Sequence, residues 1–393
     1  MAVQRLKGKV QHYDWGGTQF INRILGFEPD GRPCAEYWMG THRNGISIIE
    51  GKQESLAAYI ADAPAAVLGS AIARDFDNQL PFLFKVLDVA SMLSIQVHPT
   101  KEEAVIGFAA EESAGIPLEA SHRNFKDSNH KPEIMVALSE FWLLHGFHAS
   151  DEIQEILQTV PEFRSILPHY ASKQTKVLFQ YLMELDQEAV HGILAPLNDR
   201  LQRENTQEKS QPDYWARLAF DQYTTNGHFD RGIFSIYLLN LVKMEIGEAI
   251  FQGAGIPHAY LQGQNMELMA NSDNVFRGGL TPKHVDVAML MKHTNFDEVV
   301  PEILKGEVHG NEIVYKTSCK DFELAKVYVE ADEDYSLDSS GPTIFFVYQG
   351  AGSIEGNAAI QNYAKGSSFF IDGQEQLSIS ATTTTTMFVA RMP

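Results

Sequence analysis

Two kinds of apolar spacing divide this chain. Up to about residue 149, and again from about residue 242, short runs of alternating apolar and polar positions lie between Gly, Pro, Asn and Asp clusters. That is the pattern of strands and tight turns. Ile46–Ile49 and Leu83–Val89 are early examples. Along Ser91–Pro99 the alternation predicts a strand with Met92, Ser94, Gln96 and His98 on one face and Leu93, Ile95 and Val97 on the other. A helix is expected from Lys101 to about Ser113, and then a second strand with Glu133, Met135 and Ala137 opposite Ile134, Val136 and Leu138. Between about residues 150 and 241 the period becomes helical. Ile153, Ile156, Leu157 and Val160 recur at helical spacing, with Asp151 and Gln154 as a capping box. Met244–Gly263 returns to strands and Gly/Pro turns, and Thr281-Pro282 reads as the start of a helix over Lys283–Lys292. Thr343–Tyr348, Ser367–Ile371 and Thr382–Ala390 are the clearest strands near the C-terminus. The expected class is mainly β with an α-helical insertion. The expected divisions are 1–149 with 242–310, the insertion 150–241, and a second β unit 311–393.

Composition narrows the partners. Asp and Glu number 51 against 31 Lys and Arg, a formal net charge of −20. Such a surface repels phosphate backbones and anionic lipid, so nucleic acid and membrane are not expected partners. No apolar run reaches membrane-span length, and MAVQRLKGKVQHYDWGG has no apolar signal core. Cys34 and Cys319 are too few for a disulfide framework. A cytoplasmic, monomeric protein acting on a small molecule is expected.

Several polar positions could carry chemistry. Gln96 and His98 project from one strand face, although Gln-x-His also suits a wetted strand. Glu133 opens a strand just after His130, Lys131 and Pro132, a position that taken alone favours a surface turn. His258 and Tyr260 would share the inner face of a strand that leaves the Gly255-Ile256-Pro257 turn. Taken jointly, two imidazoles, a carboxylate and an amide suit zinc or another first-row divalent ion with an open position. Glu267–Lys283 is dense in polar groups and keeps Arg277 and Lys283 beside Gly278-Gly279, which suggests an anionic ligand such as a phosphate, although composition alone favours a solvated loop with a helix cap. The aromatics Tyr13, Trp15, Tyr37 and Trp38 are read as packing residues, with sugar stacking as the alternative. His145 and His148 are read as structural.

Six stretches together resemble the type I phosphomannose isomerases of the cupin superfamily. They are Tyr13–Gly16, Ala35–Gly40, Gln96–Pro99, Asn129–Glu133, Gly255–Tyr260 and Asn271–Lys283, in the family's order. The departures, Arg43, Thr100 and Gly278, fall beside the ligand positions and not on them. The resemblance implies two cupin-type jelly rolls with a helical domain inserted in the catalytic one. It implies one zinc ion (Zn2+) per chain held by Gln96, His98, Glu133 and His258, and Arg277 as a catalytic arginine. The implied reaction interconverts mannose 6-phosphate and fructose 6-phosphate through an enediolate. Glu267, Lys131 and Asp273 are the candidate bases, and Ser94, Lys283 and Lys85 the candidate phosphate contacts. Another metal-dependent cupin, such as an oxygenase or a different sugar-phosphate isomerase, and a non-catalytic sugar-phosphate-binding bicupin are the alternatives.

Overall fold

The computed structural model describes residues 3–356, 360–373 and 375–393. Among them, strands form two antiparallel sheets, of ten and eleven strands. The ten-stranded sheet is organised by one long strand, His258–Ala270. Its first half pairs with Phe141–Phe147 and with Gln96, and its second half with Phe82–Val89 and Glu133–Ala137. The strand therefore crosses from one wall of a barrel to the other. Gly263 makes the bend, at φ +131°, and a Cβ there would lie 2.5 Å from the Phe141 ring. Only glycine fits that backbone and that approach.

Strand alternation then sorts side chains into layers. From Phe82–Val89, the residues Phe82, Phe84 and Val86 pack outward against Ile344, Phe346, Phe370 and Phe388 of the C-terminal sheet. Leu87 and Val89 face inward with Met135, Phe141 and Tyr260. Both faces are covered, so the strand is buried along its whole length. The same alternation puts Glu133 inside and Ile134 and Val136 outside, as expected from the sequence. Helices occupy Ser150 to Leu238 and bury Leu157, Phe179, Leu197, Trp215 and Phe234. The same core includes Ile95, Val97 and Phe276 beside the metal-binding face.

Local expectations shift in four places. Only Gln96–Val97 is strand within Ser91–Pro99. Met92 turns into the helical core while Leu93 packs against the barrel interior, so the two-fold alternation fails before Gln96. The helix near Lys283 begins later, at Val287, because the Asp286 carboxylate caps it by accepting from Met289 N–H at 3.0 Å. At Ser150–Thr159 the capping carboxylate is Glu152, which accepts from Ala149 N–H at 3.3 Å, and Asp151 lies inside the helix. The fourth shift concerns sheet membership. Val3–Lys7 and the Ile48–Ser55 hairpin hydrogen-bond in the C-terminal sheet, beside Ser368–Ile371, although both precede residue 149. Pairing there covers an edge that Ser368–Ile371 would otherwise leave open.

Candidate active site

Four strands set the site's first row. Gln96 lies directly opposite both His258 and Arg277, and His258 lies opposite His145. Directly opposed residues share a face, so one row carries three side chains expected in the site and one read as structural. Glu133 reaches the same point from the other wall, where it opposes Gln252 and Met269. The chain leaves the barrel straight after His98, because Thr100 caps the helix Lys101–Ser113 in a reciprocal box with Glu103.

At this point His98 Nε2 lies 3.5 Å from Glu133 Oε1, and His258 Nε2 lies 3.2 Å from Glu133 Oε2. All three residues are buried, and their ligand atoms lie within 4.8 Å of one another. The tautomers follow from the outer nitrogens. His98 Nδ1 donates to Asn274 O at 2.8 Å, and His258 Nδ1 donates to Ile256 O at 2.9 Å. Each Nδ1 therefore carries a proton, which leaves each Nε2 as the atom that faces the carboxylate and can offer a lone pair to a metal. His98 Nε2 is buried without a hydrogen-bond partner. Lone pairs facing an anion across so short a gap repel unless a cation lies between them. Burial pushes His98 down to about 4, so the ring stays neutral in neutral solution. Burial alone would raise the Glu133 carboxyl, but the Lys131 ammonium at 2.9 Å holds it below the ordinary carboxylate range. Gln96 lines the same small pocket. The donor set fits a divalent metal ion of the zinc type.

A buried charge network lies beside it. Lys85 Nζ is 2.9 Å from Glu267 Oε2, 3.7 Å from Glu36 Oε2, and 5.1 Å above the Trp38 ring. Tyr260 OH donates to the other Glu267 oxygen at 3.0 Å. Burial opposes the charge on Lys85, but Glu267, Glu36 and Glu133 outweigh it and keep the ammonium protonated. Burial raises the Glu267 carboxyl, and Lys85 partly offsets that. Lys131 Nζ contacts Glu133 Oε1 at 2.9 Å.

Above this floor opens a cleft of about 840 Å³, lined among others by Tyr13, Trp38, Ser94, Lys131, Arg277 and Lys283. Arg277 and Lys283 make no ion pair with any described residue; burial lowers the proton affinity of both, and for Lys283 the neighbouring Arg277 adds to this. Asp273 is differently placed. His42 Nε2 at 3.2 Å and Arg43 at 3.1 Å hold it. Burial alone would raise its carboxyl, but these partners bring it far below the ordinary value.

The same fold and site occur in proteins of known kind. Residues 3–150 match the family model for the type I phosphomannose isomerase catalytic domain. The mannose-6-phosphate isomerase of Escherichia coli (strain K12) is 36% identical over 383 residues, covering 95% of each chain. This chain belongs to the type I phosphomannose isomerases. The bovine (Bos taurus) mannose-6-phosphate isomerase is 34% identical and covers 97% of both chains. A zinc-bound mannose 6-phosphate isomerase structure superposes with a TM-score of 0.89 at 34% identity, covering all of both chains. The family's two-β-unit architecture with helices is thus the architecture of this chain.

The sequence pattern did not single out several residues that stand beside this candidate site. Glu36 and Trp38 sit beside Lys85, although these aromatic stretches read as packing. His145 stands next to His258, and burial first, then His258, pushes it down to about 4. His42, buried against Trp38, faces Asp273. Strand pairing places Glu36, Trp38 and His145, and a loop places His42, so spacing along the chain does not show that they meet. Helices long and apolar enough to cross a membrane are absent among the described residues.

Proposed function

We propose that this chain interconverts mannose 6-phosphate and fructose 6-phosphate as a zinc-dependent aldose–ketose isomerase with one zinc ion per chain. The observation that carries the reading is the buried meeting of two imidazole Nε2 atoms with the Glu133 carboxylate, at the floor of a cleft holding two cations with no ion pair among the described residues. Gln96, His98, Glu133 and His258 would hold the zinc, which when bound supplies a Lewis acid that polarises the sugar carbonyl.

The reaction needs a base that takes the proton from the carbon beside the carbonyl and returns it to the neighbouring carbon. Asp273 is a poor base, since His42 and Arg43 stabilise its ionised form. Glu267 has both oxygens occupied, by Lys85 and Tyr260. Lys131 lines both the floor and the open cleft, and it is assigned the proton transfer as the free amine, its ammonium first giving a proton to solvent. Arg277 stabilises the negative charge of the enediolate, while Ser94 and Lys283 receive the phosphate. Lys85, locked among carboxylates, balances charge at the floor instead of meeting phosphate.

A coupled assay of mannose 6-phosphate conversion, run before EDTA, after EDTA and after return of zinc, tests the function. Activity should vanish with chelation and return with zinc. A fully active chelated enzyme refutes the metal assignment. Lys131→Met should keep zinc and lose turnover. Retained turnover there, with loss in Glu267→Gln, would move the proton transfer to Glu267.

A further inference from the structure

We propose that Asp230, in the turn preceding the last helix of the insertion, is a positioning residue that fixes the Arg277–Lys283 loop and so the spacing of its two cations. The proposal rests on the reading of that loop as the phosphate end of the cleft. The Asp230 carboxylate crosses from the helical insertion to the loop. Its Oδ1 accepts from Leu280 N–H at 2.8 Å and from Gly232 N–H at 2.6 Å, and its Oδ2 accepts from Thr281 N–H at 3.1 Å. Three converging N–H groups on one carboxylate form an anion nest in which the anion belongs to the protein itself.

The loop's backbone needs such a clamp. Gly279 and Leu280 are consecutive positive-φ residues, at +110° and +51°. Leucine disfavours that region, so the conformation persists only where surrounding bonds over-determine it. The two backbones also touch, since a Cβ on Gly279 would lie 2.4 Å from Gly232 Cα. Arg277 precedes this clamp by three residues and Lys283 follows it by two, so its geometry sets where both cations sit. Behind the loop lies a cavity of about 380 Å³, lined by Asp230, Thr281 and Lys283 among others, into which an unclamped loop has room to move. The insertion grips the other side of the cleft too. Gln222 Nε2 at 3.0 Å and Tyr223 OH at 2.5 Å both donate to Met92 O, two residues before Ser94. The helical insertion thus acts as the scaffold of the anion end.

The test uses the zinc-loaded enzyme carrying Asp230→Ala or Asp230→Asn. Readouts are KM and kcat for mannose 6-phosphate, the inhibition constant of inorganic phosphate, zinc per chain, and amide exchange at Leu280 and Thr281. In Asp230→Ala, KM and the phosphate inhibition constant should each rise about tenfold or more, as expected for lost charge-assisted hydrogen bonds. Zinc content should stay at one per chain and both amides should exchange faster. Asp230→Asn should be intermediate, because one oxygen still accepts while its amide N–H₂ opposes Thr281 N–H; it carries the test if the alanine variant does not fold. A lower melting temperature with KM, phosphate inhibition and amide exchange all unchanged overturns the proposal. The underlying reading fails separately: Lys283→Met that leaves phosphate inhibition unchanged refutes the phosphate end. The clamp is then judged by amide exchange and KM in Asp230→Ala.

Discussion

Replacing Lys85 with methionine removes one charge from a nearly closed compartment and keeps much of the side chain's length. The Lys85 and Glu267 side chains are 7% and 4% exposed, and their charged atoms are 2.9 Å apart. Without the ammonium, Glu267 keeps the Tyr260 hydroxyl as its one hydrogen-bond partner among the described residues, and Glu36 loses its cation at 3.7 Å. Leaving a buried carboxylate uncompensated costs about 3–5 kcal/mol, far more than a surface pair would. Chemical unfolding at neutral pH, with zinc in fixed excess, should show a deficit of that size. The double variant Lys85→Met/Glu267→Gln should recover about 2 kcal/mol or more of it, because it leaves no unpaired charge at position 267. The pH dependence has a definite sign. Burial already raises the Glu267 carboxyl in the fold, and losing Lys85 raises it further. The folded variant then binds a proton more tightly than the unfolded chain, so its deficit should shrink as pH falls through the raised folded value towards the ordinary carboxylate value. A deficit under about 1 kcal/mol, or one equally large at all pH values, would refute the description of Lys85 as the charge that makes Glu267 tolerable.

Three other perturbations probe different layers. His98→Ala should lose zinc and turnover together, measured as metal per chain beside the coupled assay; full activity without bound metal would sink the ligand assignment. The zinc-free protein should lose stability as pH falls from the ordinary imidazole value of about 6.5 towards about 4. The unfolded chain takes up protons that buried His98 and His145 refuse, with a slope approaching about 1.4 kcal/mol per pH unit for each ring. A flat acid limb in His145→Phe and wild type alike would contradict this. Gly263→Ala should cost about 3 kcal/mol, since the added methyl meets both a positive φ and the Phe141 ring; an unchanged melting temperature would show that the strand does not need its bend there.

The fit between pattern and fold depends on how local each cause is. The helix Lys101–Ser113 ends where its sequence says, and Thr100 caps it as a reciprocal box with Glu103. The inward placement of Glu133 and the outward placement of Ile134 follow from a two-residue alternation that no neighbour can overrule without burying the carboxylate in the wrong layer. His98 and His258, far apart in the chain, each stood on a strand face legible in the sequence; their convergence on Glu133 came from the family resemblance and is realised by strand pairing.

Other features were beyond local pattern. Val3–Lys7 is not singled out by its sequence, and its place beside Ser368–Ile371 depends on an open edge presented by the far end of the chain. Ser91–Pro99 alternates cleanly, yet the helical core claims Met92 and breaks the alternation before Gln96. The ranking of Glu267, Lys131 and Asp273 as bases rests on who stands beside them: Lys85 and Tyr260, Glu133, or His42 and Arg43. Asp230 gave no sign in the sequence, because its partners are backbone N–H groups on a loop fifty residues away. Periodicity, capping and turn chemistry are short-range properties of the chain, and these the sequence by itself determined. Charge pairing, lone-pair direction and the clamp on the cationic loop arise between segments distant in sequence, and only the tertiary structure decided them.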